Sequence, residues 1–555
     1  MSKKQKLRKL AVSKTSKPTG GKMPNGWWMF FLLTMTVFVV YANSLNNAFV
    51  SDDIAGVLKN VNRTNLFASL SGNPFGFAYI IIRYFTSLIA GTNPLPYRLV
   101  NIIFHAGSAN LIYLILLGLT GFGSALASAL IFAVHPLLTE GVTWISAAPY
   151  SAGTFFGLLA FFFYLRGSSV KTDWRGWLAY ICSLSFTQIT ITIAPILSVY
   201  EITRGTLRKN WRRLAVYYCL GLIFISVPVM RGVSSRVSVY EEIRNPAAGR
   251  ADIFVQAPVA IANYVSLFLW PDKLTLYHSE MSFTVTQIIG FFVISLLVVT
   301  LAVWGWFRDR RISFWVMWFL LGTLVTLTPW GVTWIVAERY TYFGLIGLIT
   351  ASILIYERLI GKKIPKEISI TILVFLLLAL GTRTIVRNRD WRNLDTLALA
   401  AQFVSPSSEH NHNNLGEYYT KRREWDKAIK EFKKAIEINP RFAPAYNNLG
   451  NVYLYNNNLD EAEKNFMTAI SISRGLWQSY AQLAVIESRR GDWSKAGNIL
   501  KKGIKIHSNS ELWRGLGVVY LHEGDKEKAI EAFRESLKLD PQNETAKESL
   551  DKIIK

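Results

Sequence analysis

The sequence predicts an all-α protein in which a polytopic transmembrane helical bundle of about 11 spans precedes an α-solenoid of helical repeats. Three observations support this fold class. Hydrophobic residues make up 51% of the 555-residue chain and are gathered into long apolar runs. Short clusters of Lys and Arg separate these runs, and a motif near the carboxyl end recurs after 34 residues. A chain of this length is also too long for one hydrophobic core.

Positive charge is distributed unevenly along the chain. Residues 401–555 carry 24 Lys and Arg against 21 Asp and Glu, which leaves 37 basic and 16 acidic residues for the rest. Nucleic-acid binding would require this charge on a soluble face, whereas here it lies between apolar runs, as the positive-inside rule expects of cytoplasmic loops. We therefore predict a membrane protein that binds no nucleic acid. Cys182 and Cys219 lie inside apolar runs, so neither a disulfide framework nor a thiolate metal site is expected.

The apolar runs define the predicted spans, since a helix needs about 20 apolar residues to cross a bilayer. The clear spans are 26–44, 97–118, 121–137, 149–165, 212–231, 284–307, 312–330, 337–357 and 367–386. The basic segment 1–25 is predicted to be cytoplasmic. It precedes an uncleaved first transmembrane helix rather than a signal peptide, because no small-residue cleavage site is clear and more spans follow.

Two stretches, 177–202 and 253–270, are ambiguous by length alone, and charge resolves both. A single crossing at 177–202 would put one of two adjacent basic loops outside, so we predict two short helices forming a hairpin. We predict that 253–270 dips into the outer interface. The basic loops placed inside are 166–175, 204–213, 308–311 and 358–366. One arginine cluster near the end of the last span, Arg383 to Arg392, does not follow the positive-inside rule, because this topology puts it outside.

This topology divides the chain into a transmembrane domain at 26–392 and a repeat array at 393–555 on the non-cytoplasmic side. The outer segments are 46–96, 135–149, 232–282 and 330–337. The long first and third loops are expected to be functional, because loops of this length in compact domains usually are.

The repeat array is recognised by its period. Asn413-Asn414-Leu415-Gly416 recurs as Asn447-Asn448-Leu449-Gly450, and alanines mark the second helix of each unit. A 34-residue helix–turn–helix period with these residue types is the tetratricopeptide signature, and about four repeats exceed the three needed for a stable stack. The concave groove of such an array binds a protein or peptide, or the array is a structural spacer; the period does not choose between them.

Candidate chemical groups lie at span ends on the outer side. They are Asp52 and Asp53 in the first loop, His135 and Glu140 in the second, and Glu338, Arg339 and Tyr342 in the fourth. Each also has an ordinary structural explanation: the carboxylates are solvated or cap a helix, the histidine is a cap, and the arginine extends to the membrane surface. Together on one face, they suit a reaction in which an arginine holds a lipid phosphate and a carboxylate takes a proton from an attacking hydroxyl. Charged residues in apolar surroundings, such as Arg83, are functional candidates by default.

A set of motifs occurs in a specific order. They are Asn43-Ser44-Leu45, Phe49-Val50-Ser51-Asp52-Asp53, Pro96-Tyr97-Arg98-Leu99-Val100-Asn101 with His105, His135-Pro136 with Thr139-Glu140 and Trp144-Ile145, Trp270-Pro271 with Leu274 and Tyr277, Ala337-Glu338-Arg339-Tyr340-Thr341-Tyr342, Asp390-Trp391, and Ser405-Pro406. With these motifs the chain resembles the multi-spanning glycosyltransferases of the GT-C type that carry tetratricopeptide repeats, a family that includes animal protein O-mannosyltransferases.

The resemblance implies an inverting transferase that moves a sugar from a polyprenyl- or dolichyl-phosphate donor to a hydroxyl acceptor, expected to be a protein, on the non-cytoplasmic face. It implies Asp52 as general base and Asp53 as the group that orients the acceptor or an ion. It further implies Arg83 and Arg339 as ligands of the donor phosphate, with His135 and Glu140 shaping the sugar or acceptor pocket.

The chain departs from the family pattern in two places. Leu138 stands where a second histidine is usual, and Ser185-Phe186-Thr187-Gln188 replaces the usual Ser-Lys-Glu at the bend of the short hairpin. If the missing lysine contacts the donor phosphate in the family, then Arg83 or Arg339 must compensate here. Otherwise donor specificity is altered or activity is lost.

The leading hypothesis is therefore a membrane glycosyltransferase, and the alternative is a non-enzymatic membrane anchor that displays the repeats to extracytoplasmic partners. A transporter is disfavoured because it would need ionisable residues near mid-span. No firm metal site is predicted, although a divalent cation is compatible with Asp52 and Asp53. We expect a multi-pass protein of a prokaryotic plasma membrane, with the endoplasmic reticulum membrane as the alternative.

Overall fold

A computed structural model describes residues 26–58, 60, 64–243, 253–276, 278, 283–324 and 335–554, with the backbone alone described for 26, 227–243 and 253. The described part of the chain consists of helices and turns and contains no β-strand, which confirms the predicted all-α class. Tyr277 of the predicted motifs lies outside it.

The helices before the repeats follow the predicted apolar runs. They are α1 Gly26–Tyr41, α2 Leu66–Gly72, α3 Phe77–Ala90, α4 Pro94–Leu119, α5 Phe122–Val134, α6 Thr139–Thr143, α7 Ala148–Arg166, α8 Trp174–Phe186, α9 Ile193–Arg204, α10 Leu207–Ile243, α11 Ile253–Leu269, α12 Val285–Arg308, α13 Arg310–Leu324, α14 Leu345–Tyr356 and α15 Lys366–Asp390. Every predicted span therefore contains a helix, and 177–202 is divided between α8 and α9 by a short 3-10 turn at Gln188–Thr192.

Among the described residues, five helical segments are long and apolar enough to cross a membrane. They are Trp27–Ser44, Pro94–Leu119, Ile145–Arg166, Val285–Arg308 and Lys366–Asp390. A sixth is formed if α5 and the segment Pro136–Thr143 act as one span bent by 56°. The other helices are shorter than the roughly 20 residues that a crossing needs or run into residues outside the described part, so the predicted number of spans stays a prediction.

Local sequence explains where the long helices begin and end. Asn93 caps α4, because its Oδ1 accepts a hydrogen bond of 3.0 Å from the backbone N–H of Leu95. Thr284 and Gln287 form a reciprocal capping box at the start of α12. Gly205 ends α9 with a φ of 70°, a left-handed conformation that glycine adopts without steric cost.

All of the helices before the repeats except α2 and α3 contribute to one apolar core, in which α13 and α14 approach very closely. A Cβ placed on Gly347 of α14 would lie 2.4 Å from the carbonyl oxygen of Trp315 and 2.5 Å from the backbone nitrogen of Phe319, both in α13. Small residues permit such backbone contact between apolar helices, where van der Waals packing replaces the hydrophobic effect as the cohesive force.

The repeat array is a stack of helix pairs that starts directly after α15. Its helices are α16 Leu394–Val404, α17 Glu409–Lys421, α18 Trp425–Ile438, α19 Ala443–Tyr455, α20 Leu459–Ile472, α21 Trp477–Arg489, α22 Trp493–Ile506, α23 Ser510–His522, α24 Lys526–Leu539 and α25 Glu544–Ile554. The four pairs from α17 to α24 match the predicted number of repeats.

One contact recurs in these pairs at the repeat period. A Cβ on Gly416, Gly450 or Gly517 would lie within 3.0 Å of the ring of Phe432, Phe466 or Phe533 respectively. In the third pair the glycine position is Ala484 and the phenylalanine position is Leu500, and both belong to one core cluster. In this pair alanine is larger than the usual glycine and leucine is smaller than the usual phenylalanine, so the total volume at the contact is nearly kept, as close packing requires.

We predict that Gly347→Ala destabilises the protein, because its methyl group would force α13 and α14 apart at a cost of about 1–3 kcal/mol. Thermal unfolding of the purified protein in detergent, followed by tryptophan fluorescence, measures the effect. Gly290→Ala in α12 is the matched control, since nothing lies within 4 Å of a methyl group placed there and alanine is the better helix former. Equal melting temperatures for the two variants would contradict the predicted close contact.

Candidate active site

The first loop presents its two adjacent carboxylates in different environments. Asp53 is fully buried: its Oδ1 accepts hydrogen bonds from the backbone nitrogen (2.7 Å) and hydroxyl (2.6 Å) of Ser146, and its Oδ2 accepts one from Val50 (3.2 Å). Asp52 is exposed and makes no hydrogen bond or ion pair with the described residues. The residue before it, Ser51, has a φ of 51°, a conformation that costs energy for a residue with a side chain.

These environments separate the roles of the two carboxylates. Burial raises the pKa of Asp53, and its hydrogen bonds to Ser146 and Val50 and the nearby Arg98 charge oppose that shift. The two hydrogen bonds from Ser146 hold Asp53 and the first loop against the second loop, and the one from Val50 lies within the first loop. Of the two carboxylates, Asp52 is therefore the one that is exposed and without a partner among the described residues.

Arg98 joins the same two loops from helix α4. Its buried guanidinium donates to the carbonyl oxygens of Asn47 (2.5 Å), Ala48 (2.9 Å) and Thr143 (2.9 Å). Asn101, one turn further on, donates to the carbonyl oxygens flanking Thr143, those of Val142 and Trp144. Both residues belong to one of the ordered motifs, but sequence reasoning did not select them as site residues; their spacing on one face of a predicted helix was the available signal.

Arg83 lies on α3 beside a small cavity of about 30 Å³. Its Nη1 donates to the hydroxyl of Tyr79 at 2.9 Å, whereas its Nη2 is buried and has no hydrogen-bond partner among the described residues. Ser146, the residue bound to Asp53, also lines this cavity. The guanidinium packs against Gly56, where a Cβ would lie 2.9 Å from Nη2. An unsatisfied cation beside a cavity has the hydrogen-bonding capacity to take an anionic group.

His135 is placed as a cap rather than as an open ligand. Its Nδ1 accepts the backbone N–H of Leu137 (3.2 Å), its Nε2 lies 3.1 Å from the carbonyl oxygen of Phe268, and its ring stacks on that of Phe268. Both ring nitrogens are used, and the side chain is buried. The predicted pocket role gains no support from these contacts.

Glu140 and Arg339 form a buried ion pair. One carboxylate oxygen accepts from the guanidinium, and the other accepts the backbone N–H of Arg339 at 3.1 Å. The guanidinium also lies over the rings of Trp144 and Tyr340, 5.4 and 4.9 Å from their centroids. Glu140 thus neutralises Arg339, whereas Arg83 forms no ion pair with the described residues.

Glu338 is tied to the last apolar helix. Its Oε1 accepts from Arg387 at 2.9 Å, and Arg387 also donates to Asp390 at 2.9 Å. Arg383 donates to the backbone carbonyls of Pro271 and Asp272. Two arginines of the cluster that disagrees with the predicted topology, Arg383 and Arg387, are thus engaged in ion pairs and hydrogen bonds within the protein. Their charges are therefore poor indicators of the side of the membrane on which the cluster lies.

Tyr342 is also committed to internal packing. Its hydroxyl lies 2.5 Å from Nδ1 of the buried His105, and its ring fills the space beside Gly141. His105 reaches the carbonyl oxygen of Ala133 at 3.3 Å through its other nitrogen. The structure therefore gives Tyr342 a partner in the core and does not bring it to the Asp52 loop.

Trp144 connects the remaining candidates. Its indole nitrogen donates to the carbonyl oxygen of Val50 at 3.3 Å, Arg339 lies over its ring, and its ring stacks on that of Trp391 with centroids 5.8 Å apart. Trp391 directly precedes the repeat array. The candidate site therefore consists of Asp52, Asp53, Arg83 and the Glu140–Arg339 pair, and it lies against the start of the array.

A concave surface in the array is the second candidate binding site. Helices α21, α22 and α23 line a groove of about 490 Å³ whose walls include Trp477, Gln482, Arg489, Trp493 and Val518. Apolar and aromatic groups with a few polar side chains are typical of a surface that binds peptides.

The described residues contain no group of three or more His, Cys, Asp or Glu side chains that could hold a metal ion. Of the two family departures, Leu138 is fully buried in the main apolar core, where a histidine would be costly. Thr187 caps the turn between α8 and α9, and Gln188 is exposed there.

The fold and site define a helical protein with membrane-spanning segments and a carboxyl-terminal repeat array. Tetratricopeptide-repeat family models match residues 416–457, 443–475 and 510–543, which confirms the predicted repeats. The chain is 23% identical to protein O-mannosyl-transferase TMTC3 of mouse over 476 residues, covering 74% of this chain and 51% of that protein. It is also 23% identical to protein O-mannosyl-transferase F38B6.6 of Caenorhabditis elegans, covering 75% of this chain and 63% of that protein.

These relatives confirm the resemblance stated from the motifs. The chain spans about half the length of the mouse relative. Both relatives are animal proteins, so they do not support the predicted preference for a prokaryotic plasma membrane. Among solved structures, MamA is 21% identical with a TM-score of 0.24, covering 27% of this chain and 91% of that chain. A thermophilic TPR protein of Thermus thermophilus is 19% identical with a TM-score of 0.27, and the match covers 32% of this chain and 94% of that chain.

We predict that Arg387→Met destabilises the protein by about 3–5 kcal/mol, because it leaves the fully buried Glu338 carboxylate without its cation. The double variant Glu338→Gln with Arg387→Met should recover much of this loss, since no buried charge then stays unpaired. Thermal unfolding of both variants measures the difference. Additive effects of the two substitutions would show that the pair contributes no coupling.

Proposed function

We propose that this chain is a membrane glycosyltransferase that moves a sugar from a polyprenyl- or dolichyl-phosphate donor to a hydroxyl group of a protein on the non-cytoplasmic face. The acceptor oxygen attacks the anomeric carbon while the bond from that carbon to the phosphate breaks, so the configuration inverts. The acceptor proton passes to Asp52, and the phosphate leaves on its lipid.

The observation that carries this proposal is the contrast between Asp52 and its surroundings. Asp52 is an exposed carboxylate without a partner among the described residues, and it follows a residue in a left-handed conformation. Asp53, which is buried and bound on both oxygens, fixes its position. A general base must be free to reach the proton and rigidly held, and this arrangement supplies both properties.

Arg83 is the proposed ligand of the donor phosphate. Arg83 and Ser146 line the same cavity, and one guanidinium nitrogen of Arg83 has no hydrogen-bond partner among the described residues. A guanidinium stabilises the charge that develops on the departing phosphate. If the family lysine that is absent at Thr187 contacts the donor phosphate, Arg83 would supply that charge here.

Helix α7 supports the proposed sidedness. It begins two residues after Ser146 and ends at Arg166, and its 19 residues span about 28 Å at 1.5 Å per residue. This length matches the bilayer core of about 30 Å. The candidate site and the basic loop after Arg166 therefore lie at opposite ends of one spanning helix. The positive-inside rule assigns the basic end to the cytoplasm, which leaves the site outside.

The array is proposed to lie on the side of the site and to present acceptors to it. The backbone N–H of Ala48 donates to the carbonyl oxygen of Arg392 at 2.8 Å, and the Trp144–Trp391 stack lies beside that contact. The groove at α21, α22 and α23 would hold an acceptor segment. The alternative is a non-enzymatic scaffold that uses only this groove, and the missing lysine at Thr187 favours it.

We predict that Asp52→Asn lowers sugar transfer by about 10²–10⁴-fold, because the amide cannot accept the proton. The assay follows transfer of labelled mannose from dolichyl-phosphate mannose to secreted host proteins, in membranes of cells that express the chain and of cells that lack it. Asp426→Asn, an equally exposed aspartate in the array, should leave transfer unchanged. Full activity in Asp52→Asn would exclude this residue as the base, and no transfer by the unaltered chain would favour the scaffold.

Sidedness is tested independently of activity. In a chain with Cys182 and Cys219 changed to serine, Lys433→Cys in the array and Lys171→Cys in a basic loop provide single exposed thiols. We expect a membrane-impermeant maleimide to label Lys433→Cys from the non-cytoplasmic side and Lys171→Cys from the cytoplasmic side. Labelling of both from one side would contradict the proposed topology.

A further inference from the structure

Two basic loops meet at the end of α7 that is remote from the candidate site. The first, residues 166–175, runs from the end of α7 into α8, and the second, residues 204–213, runs from the end of α9 into α10. Seven of their cations are exposed and form one surface, here named the basic platform. Its members are Arg166, Lys171, Arg175, Arg204, Arg208, Lys209 and Arg212. None of the seven forms an ion pair within the described part of the chain.

A buried ion pair brings the two loops together. Arg213 of α10 donates to Asp173, just before α8, at 3.3 Å and to the carbonyl oxygen of Tyr164 at 2.7 Å. Its guanidinium lies 3.9 Å from the Tyr164 ring centroid. Asp173 and Arg213 are both buried, so this contact is a fixed structural link that holds the exposed cations of both loops on one surface.

The acidic groups beside the two loops are already used inside the protein. Asp173 is paired with Arg213, and Glu201 is buried and accepts hydrogen bonds from Tyr164 (2.8 Å), Asn210 (2.8 Å) and Thr206. Neither carboxylate is left to neutralise the platform. The platform therefore presents seven uncompensated positive charges to its surroundings.

Exposed aromatic side chains accompany these cations. Trp174 is 53% exposed and Trp211 is 57% exposed. Arg175 lies over the ring of Trp174 and Arg212 over that of Trp211, with 5.4 and 5.5 Å from guanidinium to centroid. Tryptophan with arginine is the composition of the membrane–water interface, where the ring sits at headgroup level.

We propose that the basic platform binds the headgroups of anionic phospholipids. The positive charge indicates an anionic partner, because cations without acidic neighbours attract the negative surface of the leaflet, and each cation adds to the attraction. The position in the bilayer favours a lipid over a soluble polyanion, because the exposed tryptophans place the platform at the headgroup level of the bilayer that α7 crosses. The inference stands apart from the transferase chemistry and does not use Asp52, Arg83 or Arg339.

Native mass spectrometry of the full chain in detergent, titrated with phosphatidylglycerol or phosphatidylcholine, tests this proposal. The variant Arg175→Gln, Arg208→Gln, Lys209→Gln, Arg212→Gln should bind phosphatidylglycerol at least about tenfold more weakly, with phosphatidylcholine binding unchanged. The matched control removes four exposed lysines of the array, Lys430, Lys433, Lys502 and Lys505, by the same change to Gln. It should bind phosphatidylglycerol like the unaltered chain.

A charge-preserving variant separates charge from folding. Arg175→Lys, Arg208→Lys, Arg212→Lys should keep the preference for phosphatidylglycerol, because the headgroup attraction needs the cation and not the guanidinium shape. Undiminished phosphatidylglycerol binding by the Gln variant, or an equal loss in the array control, would overturn the proposal. Displacement of the lipid by poly-glutamate at equal charge concentration would also overturn it and assign the platform to a soluble acidic partner.

Discussion

The guanidinium of Arg98 is the constraint on which the candidate site depends. It is fully buried, and its hydrogen bonds go to backbone carbonyls of two loops that are remote from each other in the chain. Such a cation is stable in an apolar bundle only when its donors are satisfied. Here the carbonyls of Asn47, Ala48 and Thr143 satisfy it, and in doing so they fix the loop that carries Asp52.

The same site is closed on its other side by contacts with the last apolar helix. Asn388 donates to the carbonyl oxygen of Val40 and to Asn43, and it accepts from Thr143. The Trp144–Trp391 stack continues this seam to the first helix of the repeats. The start of the array therefore packs directly against the site. Because the side chains between them are close-packed, a change in the packing of one would alter the packing of the other.

The two ends of α7 show how one fold separates two kinds of polar surface. At its beginning, the Glu140 carboxylate is buried and paired with Arg339, while Asp52 is exposed. At its end, Asp173, Glu201 and Arg213 are buried, and the seven cations of the basic platform are exposed. Charge in an apolar bundle must be paired, solvated or used, and the contrast between the ends follows from which partner each loop supplies.

Apolar periodicity and a 34-residue period are local signals, so the helical class, the helix positions, the division of 177–202 and the repeats could be predicted from the sequence. The motifs around Asp52, Glu140 and Arg339 could be recognised in the same way. The partners of these residues, in contrast, depend on the folded chain. Residue type did not reveal that Glu140 neutralises Arg339, that His135 is a cap, or that Tyr342 bonds His105, since each partner is remote in the chain or depends on a local turn. The difference between Asp52 and Asp53 was likewise decided by Ser146, which folding brings to only one of two identical side chains.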